Sequence, residues 1–135
     1  MNKIGLAFLL VIASASCFLN SHNVTLTIEL ATLQKNPDYV QNIDILLGAD
    51  LTLILYSNGS TGSLWTDPAG LSDPLVLEQT GHRYVIRPNP NAGEAGHEVF
   101  TFMTRSRGTC SVYLEYGRPA GGDIAFTCTI NVEVK

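Results

Sequence analysis

Positive charge is scarce in this sequence. Eight lysines and arginines are scattered over 135 residues against twelve acids, a formal net charge of −4. Nucleic-acid binding needs clustered cations to neutralise phosphates, and no such stripe exists, so nucleic acid is excluded as a partner. Histidine and cysteine are equally thin. His22, His82 and His97 stand apart, with no H-E-x-x-H and no C-x-x-C pattern, so nothing reads as a zinc site. No G-x-S-x-G elbow occurs. Cys110 could be paired with His97 as nucleophile and base, but it falls on an apolar strand face, where a structural role fits better. Glu94 and Glu98 flank a glycine loop and read as solvated loop acids. The chain is therefore expected not to be an enzyme, and it implies no metal and no cofactor. Internal repeats and low-complexity tracts are also missing. The N-terminal apolar run, Ile4 to Ala13, spans ten residues, too few for a transmembrane helix.

That short run has another use. Asn2 and Lys3 precede it, and the small residues Ser14, Ala15 and Ser16 follow, the layout of a secretory signal peptide over residues 1–15. Ala13-Ser14-Ala15 fits the cleavage rule, give or take two residues. The mature chain is expected in the secretory pathway, either secreted or endolysosomal. A lipid anchor on Cys17 is the lesser alternative, because Ser14 stands where a lipoprotein signal carries a larger aliphatic residue. Asn23-Val24-Thr25 and Asn58-Gly59-Ser60 are both glycosylation sequons.

After the leader the patterning has period two, with no helical periodicity. Val24, Leu26, Ile28 and Leu30 alternate with polar residues and predict a first strand, which Asn36-Pro37-Asp38 ends. Residues 16–40 are either an N-terminal extension or an added strand. Ile43, Ile45 and Leu47 predict a second strand, and Leu51, Leu53 and Leu55 a third. Leu75 to Leu77 and Tyr84 to Arg87 read as short strands with Gly81-His82 turning between them. Glu98 to Thr104 does not alternate cleanly, which predicts a strand covered on both faces. In the last two strands Cys110, Val112, Leu114 and Tyr116 share one face, as do Ile124, Phe126, Cys128, Ile130 and Val132. Paired as a hairpin centred on Pro119, they set Val112 opposite Phe126 and Leu114 opposite Ile124. Cys110 then faces Cys128, close enough for a disulfide. The expected fold class is all-β, an antiparallel β-sandwich.

One stretch departs from this regularity: Asn58-Gly59-Ser60-Thr61-Gly62-Ser63-Leu64-Trp65. Low side-chain bulk and two glycines permit a tightly curved loop, and Trp65 offers a large apolar anchor beyond it. By itself it fits an ordinary hairpin turn with a core tryptophan. Two later stretches add to it, Gly93-Glu94-Ala95-Gly96 and Arg118-Pro119-Ala120, each beside a predicted strand. In that order the three loops resemble the signatures of the chagasin family, inhibitors of papain-like cysteine proteases. That family carries N-P-T-T-G-x-x-W, G-x-G-G and R-P-W or R-P-F. The resemblance covers about residues 41 to 135.

The resemblance implies an immunoglobulin-like sandwich with three functional loops at one end. It implies reversible, non-covalent inhibition, with no catalytic residue. The loop Asn58, Gly59, Ser60, Thr61, Gly62, backed by Trp65, would enter the protease cleft. Gly93 and Gly96 would flank it on one side, Arg118 and Pro119 on the other. The implied partner is a papain-like, cathepsin L-type protease. Departures from the pattern weaken affinity: Gly59 replaces a proline, Glu94 and Ala95 crowd the second loop, and Ala120 replaces an aromatic ring. The alternative function is a secreted immunoglobulin-like adhesion or structural module without inhibitory activity.

Overall fold

A computed structural model describes residues 23–86, 95–119 and 121–135. The proposed signal peptide and Cys17 lie outside the described residues, as do Gly93, Glu94 and Ala120.

The strands, numbered in chain order, are β1 Val24–Ile28, β2 Asp38–Ile45, β3 Asp50–Ser57, β4 Leu64–Trp65, β5 Gly70–Leu71, β6 Leu77–Val85, β7 Gly96–Thr104, β8 Gly108–Gly117 and β9 Ile124–Val134. They form two sheets packed face to face. One is four-stranded, in the order β1-β3-β7-β6; the other is five-stranded, β2-β9-β8-β4, with β5 also paired to β8. The β1–β3 and β2–β9 pairs are parallel and the remaining pairs antiparallel. This is the all-β sandwich that the patterning predicts, in the immunoglobulin-like form that the resemblance implies.

Strict alternation explains why the core sits between the sheets. Leu51, Leu53 and Leu55 of β3 are fully buried while Thr52, Ile54 and Tyr56 between them are half-buried. Across the core lie Val112 and Leu114 of β8 and Cys128, Ile130 and Val132 of β9. Each buried Leu or Val removes enough apolar area from water for roughly 1.5–3 kcal/mol. The N-terminal segment is part of this arrangement. Val24 to Ile28 pair with Leu51 to Leu55, and Ile28 is buried.

Four expectations are corrected. Leu30–Lys35 is a short helix, α1, rather than the end of a strand, and it buries Leu33 completely. Its residues, Leu-Ala-Thr-Leu-Gln-Lys, are mostly strong helix formers, but six are too few for a readable period. Gly81-His82 does not turn. Strand β6 runs continuously from Leu77 to Val85 and absorbs an irregularity between Gln79 and Gly81 as a bulge.

Glu98, expected to be a solvated loop acid, is instead fully buried in β7. The hairpin register also differs. Cys110 pairs with Val132, and Cys128 pairs with Leu114. Four residues along a strand separate the two cysteines, about 13 Å, far beyond disulfide reach. Both are free and buried. The shift arises because the turn is not centred on Pro119. Gly121, at φ +88°, takes the left-handed position, and a bulge between Ile124 and Phe126 resets the ladder. Ile124 is thereby exposed rather than lying on the core face.

Candidate loop site

Ladder pairings fix where the three loops lie. The last residue of β3, Ser57, pairs with Gly96 at the start of β7, and His97 pairs with Val85 at the end of β6. On the other sheet Leu64 pairs with Gly117 at the end of β8, and Gly117 pairs with Ile124 at the start of β9. The first loop, the β6–β7 connection and the β8–β9 connection therefore leave the sandwich at the same end. Gly96 sits at the root of the second, and Arg118 and Pro119 are exposed at the start of the third. The position of Gly93 lies outside the described residues.

The first loop is a 3₁₀ turn, Gly59–Thr61, with internal bonds in every direction. Asn58 caps it, its Oδ1 accepting from the Ser60 N–H at 3.2 Å and the Ser60 hydroxyl at 2.6 Å. The Thr61 hydroxyl and N–H both donate to the Asn58 carbonyl, at 2.8 and 3.2 Å. Gly62, at φ +80°, closes the turn in the left-handed region that its lack of a Cβ permits. Gly59 does not adopt a positive φ; its N–H donates to the Tyr84 hydroxyl at 3.2 Å. A proline here could not make that bond, so the glycine exchanges a fixed φ for a tether to β6.

Beneath the turn lies a set of supports that spans both sheets. The Asn58 N–H donates to the Tyr116 hydroxyl at 2.8 Å. Tyr116 is buried, and burial raises its phenol above the ordinary value, keeping the hydroxyl protonated. Its ring packs at 5.1 Å from Trp65 and 5.9 Å from Phe126. Trp65 is buried, and its Nε1–H donates to the Tyr56 carbonyl at 2.7 Å.

Below these rings is the Glu98 carboxylate. Its Oε2 accepts from the Ser57 hydroxyl at 2.6 Å and from the Trp65 N–H at 3.0 Å, while Oε1 meets His82 Nε2 at 2.7 Å. His82 Nδ1 lies 3.2 Å from Asp67 Oδ2, and Asp67 Oδ1 accepts from Gln79 Nε2 at 2.8 Å. A buried carboxylate is tolerated only with partners on both oxygens, and here it has them.

Sequence reasoning placed Asn58, Gly59, Ser60, Thr61, Gly62 and Trp65 on this loop, and the structure brings them together with Gly96, Arg118 and Pro119. It missed Tyr84, Tyr116, Glu98 and His82. A signal for Glu98 was present: it shares parity with Phe100 and Phe102, so in a strand it must point inward with them. Between the third loop and the segment that follows the first runs a groove of about 570 Å³, lined by Leu64, Asp67, His82, Glu115 and Arg118 among others. Among the described residues no cluster of three or more His, Cys, Asp or Glu is placed to hold a metal, and no helix is long and apolar enough to cross a membrane.

Fold and site together define an immunoglobulin-like domain that presents loops from one end of a rigid sandwich. The model of the Chagasin family peptidase inhibitor I42 matches residues 44–134, and the chain belongs to that family, whose members inhibit peptidases and are not enzymes. Among solved structures it is similar to the cysteine protease inhibitor EhICP2 from Entamoeba histolytica. That match has 18% identity and a TM-score of 0.65, over 84% of this chain and 98% of that one. It is also similar to PbICP-C, solved in complex with falcipain-2, with 16% identity and a TM-score of 0.59, over 82% and 99%. Leishmania mexicana ICP shares 28% identity with a TM-score of 0.51, over 74% and 90%. A comparison with curated protein sequences gives no match.

Proposed function

We propose that this domain is a reversible, non-covalent inhibitor of papain-like cysteine proteases of the cathepsin L type, and that it acts by filling the active-site cleft. The observation that carries this reading is the convergence of three loops at one end, with the first held in a capped 3₁₀ turn over a buried carboxylate. A loop fixed before docking loses little conformational entropy when it enters a cleft, so contact area turns more fully into affinity. The Gly59–Thr61 turn enters the cleft; the segment from Gly93 to Gly96 and the Arg118-Pro119 turn contact its two rims. The protease partner named for PbICP-C supports the same target class. Nothing in the site calls for a covalent bond, and the protein supplies shape. A signal peptide over residues 1–15 would deliver it to the secretory or endolysosomal pathway, which N-terminal sequencing of exported material tests.

Titration of the mature domain against papain and a cathepsin L-like enzyme tests the main reading. Competitive, reversible inhibition with the inhibitor recovered intact is expected. A domain without effect at about micromolar concentration, far weaker than interfaces of standard size usually reach, would be an adhesion or structural module instead.

A further inference from the structure

One buried carboxylate joins the two stems of the first loop, and a titratable ring sits against it. We propose that Glu98 is the positioning residue of the loop and that His82 makes the loop's fit pH-dependent, with tighter inhibition in acid. This rests on the inhibitory reading above.

Ser57 immediately precedes the loop and Trp65 closely follows it, and both donate to the same oxygen, Glu98 Oε2. Glu98 itself is completely buried and belongs to β7, a different strand from either stem. Its side chain thus sets the distance between the two ends of the loop. The opposite oxygen, Oε1, meets His82 Nε2 at 2.7 Å, and His82 Nδ1 faces Asp67 Oδ2 at 3.2 Å. An imidazole carries two N–H donors only when protonated; neutral, it has one. Loss of the proton therefore leaves one N–H; the tautomer that keeps it on Nε2 retains the shorter bond to buried Glu98, sets the Nδ1 lone pair toward half-exposed Asp67, and removes the positive charge that both carboxylates face.

The surroundings offer little to replace the lost charge. Glu98 reaches the ring from β7 and Asp67 from the segment after β4, while the Phe100 ring packs against it at a tilt of 31°, with centroids 4.4 Å apart. Across the groove, Glu115 of β8 and Arg118 of the third loop share the lining. The His82 side chain is 24% exposed, enough to exchange its proton with solvent. With a neutral ring at Oε1 the buried anion keeps a hydrogen-bond donor but loses the facing positive charge, so it is held less strongly and its position relaxes. Ser57 and Trp65 are bonded to that anion and shift with it.

The test is a set of inhibition constants on papain for wild type, His82→Gln and Glu98→Gln, from about pH 5 to about pH 8, the span in which imidazoles ordinarily titrate. The protease's own pH dependence cancels in each ratio of variant to wild type. His82→Gln is expected to be weaker by about tenfold at the acid end, narrowing to about twofold at the alkaline end. Glu98→Gln is expected to be weaker by about tenfold or more throughout.

A His82→Gln ratio that stays constant with pH overturns the pH dependence. A folded Glu98→Gln that inhibits like wild type overturns the positioning role. Should Glu98→Gln fail to fold, Ser57→Ala replaces it, since it removes one stem bond and keeps the carboxylate; unchanged inhibition by Ser57→Ala is then the overturning result. The amide NMR signals of Ser57 and Trp65 in the free protein give a readout independent of any protease. They are expected to follow one ionisation that His82→Gln abolishes, and signals that stay fixed with pH overturn the link between ring and loop. If wild type inhibits no papain-like enzyme, the inhibitory reading fails, while these signals still decide whether His82 positions the loop.

Discussion

Tyr116 shows how one side chain can serve both core and loop. Its ring closes the core against Trp65 and Phe126, and its hydroxyl reaches out to the Asn58 N–H that begins the turn. Tyr116→Phe keeps the ring and removes only the acceptor. The expected loss is about 1 kcal/mol of stability, with inhibition weaker by about fivefold as the turn loosens. Denaturant unfolding and inhibition constants measured together check it, and a stability loss with unchanged inhibition would mean that the loop does not depend on this bond.

The two buried cysteines make a separate prediction. Burial pushes the Cys128 thiol from the ordinary 9.0 up to about 12. In the folded protein neither cysteine is expected to react with iodoacetamide near neutral pH, and both should react once the chain is unfolded. Peptide mapping after each treatment, which separates these two thiols from Cys17, decides. The sign of the linked stability follows: the fold favours the neutral thiol, so its contribution is complete below pH 9.0 and is lost as pH rises toward about 12. Thermal midpoints should therefore fall across that alkaline interval, and Cys128→Ala should flatten the fall.

Among the elements, the first loop divides its two glycines by role. Gly62 needs its positive φ, and a Cβ there meets nothing within 4 Å, so Gly62→Ala isolates backbone strain. About 1 kcal/mol or more is expected to be lost. At Gly59 a Cβ would stand 3.4 Å from the Tyr84 ring, an ordinary contact with no left-handed angle to strain. Gly59→Ala is therefore expected to stay within about 0.5 kcal/mol of wild type. Paired unfolding curves for the two variants test the division; equal losses would contradict it.

The same scale shows what a sequence discloses and what it withholds. Strands β3, β8 and β9 were legible because one face of each is buried and alternation records burial directly. The register between β8 and β9 was not, because it depends on which residue takes the left-handed angle. Pro119 and Gly121 both look like turn residues, and two positions of difference carried the cysteines apart. Helix α1 was too short to show a period. Gly81 looked like a turn because nothing local distinguishes a bulge from a reversal. At the site, the residues on the loop announced themselves through small size and spacing. Their supports come from β6, β7 and β8, and that kind of proximity exists only once the sheets have assembled.

Across the whole molecule, the first loop is also a crossing. It leaves β3 in the four-stranded sheet and lands on β4 in the five-stranded sheet, so its two ends are rooted in opposite layers. Drawing the loop out into an extended strand would require sliding one layer over the other and breaking the turn bonds from Thr61 and Gly62 to Asn58 and Gly59. A peptidase cuts a chain that it can stretch along its cleft, and this segment resists stretching. The expected result is durability: after prolonged incubation with excess papain the mass of the domain should be unchanged, with no scission between residues 58 and 63. Gly62→Ala, whose turn is strained, should be nicked there first. A wild-type loop cut as quickly as a denatured chain would show that the sandwich does not hold it closed.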